Sequence, residues 1–275
     1  MSSKKIVECV PNFSEGKDKK IIDQICASIE TVDTVEILDV DMGADTNRTV
    51  VTFIAESEYA GSAAYKGIEK AAELIDMRNH AGAHPRMGAT DVCPFIPVSN
   101  IDMEECVNIA MELGEKVGNE LKIPIFLYES AASNEERKNL ANIRSGEYEG
   151  LCEKLKEKNW KPDFGPEKVN VRAGATAIGA REFLIAYNIN LNTNDRTYAN
   201  EIAYELRERG RWKRINQKDN FYYKGNIVNF AEGYYPDGNS DYVGNSLKEI
   251  EDYYQKNGKD FRKRYNSLGL DPDNL

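Results

Sequence analysis

Val35-Glu-Ile-Leu-Asp-Val40, then Asp41-Met-Gly-Ala-Asp-Thr-Asn47, then Arg48-Thr-Val-Val-Thr-Phe-Ile-Ala55 is the stretch that decides the fold. Its two outer segments are rich in β-branched residues, with Phe53 added, which is the composition of strands. The middle segment is polar and carries Gly43, Asp45 and Asn47, so it reads as a turn. Two strands joined by so short a connection pair antiparallel.

What flanks this hairpin sets the topology. Upstream, residues 6–13 alternate, are β-rich, and end at Ser14-Glu-Gly16. Residues 18–28 follow, with Ile21, Ile22, Ile25 and Cys26 at helical spacing. Downstream, 59–76 is alanine-rich with a helical period and 92–98 reads as a strand. A long amphipathic helix is predicted over 103–121, a strand over 123–128, and helices over 135–143 and 148–158. The strand at 92–98 holds Pro94 and Pro97, which cannot donate to a ladder, so it is expected at an edge or irregular. Strand, helix, strand, strand, helix, strand is the order of a split βαβ, ferredoxin-like unit. The fold expected is therefore an α/β (α+β) sandwich, a mixed sheet with helices on one face. The other face of such a sheet is free for a ligand or a second domain. A strand over 183–191 and a helix over 197–210 open a second, partial subdomain of similar kind. The division expected is 1–180 and 181–275, the latter including a Tyr-, Asn- and Gly-rich stretch at 215–246 and a charged tail.

The 275 residues carry 36 basic and 46 acidic side chains, a formal net charge of -10. A general nucleic-acid binder needs a basic surface and is excluded on this balance. A small anionic ligand needs only a local patch and is not. The five cysteines include no closely spaced pair and read as reduced, mostly buried thiols. The N-terminus has no apolar leader, and no apolar run approaches the ~18 residues of a membrane helix. A soluble cytoplasmic protein is predicted, with neither membrane nor nucleic acid as partner.

Both histidines of the chain, His80 and His84, fall in one segment, His80-Ala-Gly-Ala-His84-Pro-Arg-Met-Gly88. Histidine is the side chain that titrates near neutrality, so it is the natural proton carrier. Pro85 biases His84 away from helical angles, and the segment reads as an ordered loop. The four-residue spacing would suit a metal pair on a helix, but Gly82 and Pro85 oppose a helix and no further ligand lies close by. No metal is expected. From the residues alone, each histidine is readable as a proton carrier or as a structural side chain. Asp39 and Asp41 share a face of their strand. They are readable as carboxylates that orient a histidine, or as turn formers that bond nearby backbone N–H groups. Arg48, Arg86, Arg172 and Arg181 sit at strand ends or loops. Together they would make an anion site, and singly each is an ordinary surface residue. The glycine-rich stretch 163–181 either lets backbone approach a ligand or is a linker; it fits neither common nucleotide-binding glycine motif.

Several longer motifs carry a resemblance. Val7-Glu-Cys-Val-Pro-Asn-Phe-Ser-Glu-Gly16, Leu38-Asp-Val-Asp41 with Asn47-Arg-Thr-Val50, and His84-Pro-Arg-Met-Gly88 with Asp91-Val-Cys-Pro-Phe-Ile-Pro97 resemble the formiminotransferase family. Ile143-Arg-Ser-Gly-Glu-Tyr148, Trp160-Lys-Pro-Asp-Phe-Gly-Pro166 and Gly174-Ala-Thr-Ala with Gly179-Ala-Arg181 do so too. The resemblance runs over about residues 5–210. It implies transfer of a formimino group from N-formimino-L-glutamate to tetrahydrofolate, a co-substrate, in histidine breakdown and one-carbon metabolism. It implies two similar subdomains with folate between them, a homodimer, and no metal. It puts the catalytic histidine on His84 and its carboxylate partner on Asp41. It puts the folate-binding loop on Gly165, Pro166, Glu167, Lys168, Val169, Asn170, Val171, Arg172, Ala173 and Gly174. Arg48, Arg86 and Arg181 become candidates for the substrate carboxylates. Because the resemblance weakens beyond about residue 210, a folate-binding form without efficient transfer is the alternative reading.

Overall fold

The computed structural model describes residues 4–184, Asn192 and 195–206. The chain divides into two compact units, Met1–Ile185 and Ala186–Leu275. In the second unit the described element is helix α7 (Arg196–Leu206). It covers most of the helix expected at 197–210; the strand expected at 183–191 falls almost wholly outside the described residues, as do 215–246 and the tail.

The first unit is built on one sheet. Its first strand is broken into β1 (Ile6–Cys9) and β2 (Asn12–Phe13), separated by Val10 and Pro11. The opening hairpin is β3 (Glu36–Gly43) and β4 (Arg48–Glu56), followed by β5 (Thr90–Ser99), β6 (Ile125–Glu129) and β7 (Thr176–Ala180). β4 lies antiparallel to β3 and to β1/β2, and β1/β2 lies antiparallel to β5. β3-β4-β1/β2-β5 is the strand order of a ferredoxin-like unit. Beyond β5 the sheet continues in parallel through β7 to β6, so the whole is mixed.

Three helices cover one face: α1 (Lys19–Ile29), α2 (Ser57–Leu74) and α3 (Met103–Glu120). Each forms where its sequence presents an apolar stripe. Ile22, Ile25, Cys26 and Ile29 of α1 are buried at i, i+3, i+4 and i+7. Asp18 and Asp102 cap α1 and α3 by accepting from Lys20 N and Glu105 N. These stripes meet Val51, Phe53 and Ala55 of β4 and Cys93 and Phe95 of β5 in one core. Each fully buried Ile or Phe there contributes about 1.5–3 kcal/mol.

Three local expectations are revised. β5 is an interior strand, although it contains two prolines. It tolerates them because its pairing with β1 and β2 is irregular, with a register shift in each ladder. The helix expected at 135–143 is two: α4 (Glu135–Lys138) and α5 (Leu140–Arg144). Asn139 takes an extended conformation between them and its side chain accepts from Ala141 N, ending one helix and starting the next. β7 lies in a stretch read as a ligand loop or a linker.

The second face of the sheet is divided. Over β5, β7 and β6, a smaller core of Val92, Phe126, Tyr128 and Ala177 is covered by Ile143 of α5 and by Leu151 of α6 (Glu147–Lys154). Over β3, β4 and β1/β2, strand alternation sends Asp39, Asp41, Arg48, Val50, Thr52, Glu8 and Asn12 to that same side. The candidate site lies on the seam between the covered and uncovered halves.

Candidate functional site

The hairpin that decides the fold also holds the histidine loop. Asn47, at φ 47°, closes the β3–β4 turn. Its carboxamide oxygen accepts from Gly16 N at 3.0 Å and its amide donates to Ala81 O at 3.0 Å. Its own carbonyl accepts from His80 Nε2 at 2.8 Å. Ala83 N donates to Asp45 O, and a Cβ on Gly82 would lie 2.2 Å from Thr46 O, so only glycine fits that approach. The turn and the loop 80–84 are thereby one packed object.

His80 is the loop's internal strut. Because Nε2–H is donated to Asn47, Nδ1 carries the lone pair, and it accepts from Arg86 Nε at 3.1 Å. Only the neutral ring satisfies both bonds. Burial lowers its pKa, with the Arg86 charge adding to the effect and the Asn47 carbonyl opposing it. Arg86 is 6% exposed and its fork is filled: Nη1 and Nη2 meet both oxygens of Glu149, and Nη1 also meets Glu147.

His84 stands differently. Its Nδ1 lies 2.7 Å from the carbonyl of Pro85, so Nδ1–H donates and Nε2 is left as the basic nitrogen. Burial is the main cause of a lowered pKa, and Arg48 and Arg144 push the same way. The ring is therefore neutral at pH 7. It opens, with Pro85, onto a cleft of about 350 Å³ whose far wall is Ala141 and the turn Arg144-Ser145-Gly146-Glu147.

Behind the cleft is a buried ion cluster. Asp91 is fully buried and its Oδ2 accepts from Arg48 Nη1 and Arg144 Nη2, each at 2.6 Å. Its Oδ1 accepts from Met87 N at 3.0 Å, which ties the backbone just after His84-Pro-Arg to the sheet. Arg48 Nε also donates to Asn12 Oδ1. Burial alone would raise the Asp91 pKa, but the two guanidinium groups outweigh it and hold the carboxyl ionised below its ordinary range. Burial lowers the Arg48 pKa while Asp91 supports it, and the guanidinium stays charged. Arg181, after β7, interacts with Glu8 and with the buried Tyr128 phenol on this side of the sheet.

The other predicted residues fall as follows. Asp41 pairs in register with Val50, so it is diagonal to Arg48 on the same face and exposed. Among the described residues no hydrogen bond or ion pair joins it to His84; the tautomer of His84 is held by Pro85 instead. The loop from Gly165 to Gly174 is anchored at both ends. Gly165, at φ 83°, seats on Gly118 of α3, where a Cβ would meet Gly165 N at 2.5 Å. Gly174, at φ 70°, bridges to Gly88. Between them Asn170 accepts from Arg172 N and Ala173 N, and Arg172 donates to the carbonyls of Ala72 and Glu73 at the end of α2. Glu167 pairs with Lys161, while Lys168 and Val171 are exposed. Tyr148 links loop and cleft: its N–H donates to Arg86 O and its hydroxyl to Val171 O.

Asp91, Arg144, Tyr128 and Asn12 join the site without having been assigned to it from sequence. A signal did exist for Asp91. It is a charge opening an otherwise apolar strand, and such a charge must find a partner. Among the described residues no group of three or more His, Cys, Asp or Glu side chains is placed to hold a metal ion.

Comparison with known proteins identifies the family. A family profile described as the formiminotransferase domain, N-terminal subdomain, matches residues 6–181. The chain is 52% identical over 204 residues to the glutamate formimidoyltransferase of Thermoplasma acidophilum, covering 74% of this chain and 67% of that protein. To the glutamate formimidoyltransferase of Streptococcus pyogenes it is 47% identical over 206 residues, covering 75% and 69%. To the formimidoyltransferase-cyclodeaminase of Dictyostelium discoideum it is 53% identical over 207 residues, and there the match spans only 38% of the relative's length. The chain thus belongs to the formiminotransferase family, with the N-terminal subdomain of that domain in its residues 6–181.

Proposed function

We propose that this chain is a glutamate formimidoyltransferase that moves a formimino group from N-formimino-L-glutamate to tetrahydrofolate, releasing L-glutamate. The observation that carries the reading is His84. Burial lowers its pKa, its tautomer is fixed by Pro85, and it opens onto a cleft beside an arginine cluster.

Transfer requires the N5 nitrogen of the folate to attack the amidine carbon, forming a C–N bond and a tetrahedral intermediate. The N5 proton must leave, and the departing glutamate nitrogen must gain one as the old C–N bond breaks. His84 Nε2 takes the first proton and returns it to the leaving nitrogen. Asp41, exposed on the same face, favours the imidazolium formed midway and accepts from a substrate N–H. Arg48 and Arg181 attract the donor carboxylates; Arg86, occupied by Glu147 and Glu149, holds the loop. The loop Gly165–Gly174 supports the folate. Tetrahydrofolate enters as co-substrate, and no step here calls on a metal. Cys9 and Cys93 are free thiols, hydrogen-bonded to each other at 3.6 Å, and buried reduced thiols favour a reducing compartment such as the cytoplasm. Among the described residues no helix is long and apolar enough to cross a membrane.

The test is product formation by the purified chain from the two substrates, wild type against His84→Ala. A loss of about 10²–10⁴-fold in kcat is expected. Equal rates would remove His84 from the chemistry. Folate binding without turnover in the wild type would favour the binding-only reading.

A further inference from the structure

The cleft wall that carries Arg144 and Glu147 is a short turn, tied to Asp91 and Arg86 through the side chains of Arg144 and Glu147. α5 has only five residues, and Gly146 takes φ 85° before α6 begins. A side chain from the end of α6 reaches back to this turn. Lys154 is 8% exposed, and its Nζ donates to Asn142 O at 2.6 Å, Ile143 O at 2.7 Å and Ser145 O at 3.0 Å. These are carbonyls at the C-terminal end of α5, where a cation is favoured. An ammonium has three N–H donors and here meets three acceptors. The same Nζ lies 4.0 Å over the Trp160 ring.

We propose that Lys154 is a positioning residue for the transfer site, fixing the Arg144–Glu147 wall of the His84 cleft by tying off the carbonyls that end α5. Its role in catalysis rests on the function proposed above; its hold on the wall does not. The held segment includes Arg144, which reaches Asp91, and Glu147, which reaches Arg86. Releasing three carbonyls there shifts both the ion cluster and the cleft.

The charge state matters. Burial lowers the Lys154 pKa to about 8, with Glu157 opposing the shift and Arg137 adding to it. As the proton leaves, the amine keeps two donors for three carbonyls and turns a lone pair toward one of them. Stability does not fall with it. The folded-state pKa is below that of the unfolded chain, so the unfolded chain holds the proton more tightly. Stability from this group therefore rises between the folded pKa and the ordinary value of 10.5. The three carbonyls and the Trp160 ring favour the ammonium and so oppose the lowering of its pKa; when the proton does leave, it is the wall that loosens while the fold persists.

The experiment combines amide hydrogen exchange across 142–148 with transfer kinetics, for the wild type, Lys154→Met and Lys154→Arg. Faster exchange in K154M at pH 7, with kcat/KM lower by about tenfold to a hundredfold, is expected. So is an alkaline limb near pH 8 in the wild type that K154R lacks, because a guanidinium stays charged. Unchanged exchange in a folded K154M overturns the hold on the wall; so does protection in the wild type that, once the intrinsic rise of amide exchange with pH is divided out, stays the same between pH 7 and 9. Loosened exchange with unaltered kcat/KM overturns the role in catalysis. If the wild type transfers nothing while K154M loosens the segment, the wall assignment stands and the proposed function falls.

Discussion

Asp91→Asn tests the buried cluster most directly. The carboxylate is wholly buried, accepts from two arginines at 2.6 Å each, and accepts from Met87 N. The amide is nearly isosteric, so no cavity opens. It removes the single negative charge between Arg48 and Arg144 and points an N–H₂ donor at one of them. Breaking a buried pair by removing one partner costs about 3–5 kcal/mol, because the other charge stays buried and unmatched. Here two cations stay behind, one of them 8% exposed, so the upper half of that range is expected. Over a folded unit of this size the loss lowers Tm by on the order of 10 °C.

The pH dependence sharpens this test. Asp91 has a folded-state pKa below its ordinary value, so its contribution is fully present above the unfolded pKa. That contribution is lost as pH falls through the folded value. Urea unfolding followed by far-UV circular dichroism, at pH 7 and again below the ordinary carboxyl value of 3.8, measures the gap between wild type and D91N. The gap must shrink in acid, because only the wild type has a carboxylate to protonate. Equal midpoints at pH 7, or a gap that does not change with pH, would refute the claim that Asp91 works as an ionised bridge.

Three further outcomes are expected. The acid limb of kcat/KM has its midpoint below 6.5, since burial and Arg48 lower the His84 pKa and only the neutral ring can act as base; a midpoint above 6.5 would point to another group. Gly174→Ala disrupts folding of the first unit, because a Cβ there would lie 2.1 Å from Met87 O at φ 70°, and thermal melting reads it directly. Asp41→Asn, at an exposed position, changes the free energy of unfolding by less than about 0.5 kcal/mol but lowers kcat; unchanged turnover would release Asp41 from the role proposed.

The hairpin was legible because a half-buried antiparallel strand alternates: Val51, Phe53 and Ala55 face the core while Arg48, Val50 and Thr52 do not. β7 was illegible for the opposite reason. Thr176-Ala-Ile-Gly-Ala180 is buried on both faces and has no alternation to read. Its small residues answer to a neighbour far away in sequence, since a Cβ on Gly179 would lie 2.6 Å from the Tyr128 ring. Proline chemistry placed β5 at an edge or made it irregular, and the irregularity was the correct half. In the site, local motifs exposed His84 but not its surroundings. Arg144 stands in the Ile143–Tyr148 motif, yet what gives it meaning is Asp91, 53 residues earlier. Pattern within a segment reports the face of a strand or helix; it carries no record of which charge meets which across the fold.

The cluster is a costly way to build a protein interior. A buried ion pair is often no more stabilising than apolar residues of the same volume, so Arg48, Asp91 and Arg144 are poorly explained as stability devices. They also do not balance: two guanidinium groups face one carboxylate, and Arg181 stands on the same face opposite Glu8. In a chain of net charge -10 the buried trio of Arg48, Asp91 and Arg144 carries one unmatched positive charge. It sits beside the one histidine whose basic nitrogen opens onto a cleft, and it lowers that histidine's pKa, keeping the base unprotonated at neutral pH. An arriving carboxylate changes both quantities at once. It meets the unmatched cation, and by screening Arg48 and Arg144 it raises the proton affinity of His84 as the substrate's proton must be taken. Under the function proposed, the arginines would bind the donor and tune the base through the same charge. The kcat/KM and kcat profiles should then differ, with the acid limb of kcat, which reports the bound state, lying at the higher pH.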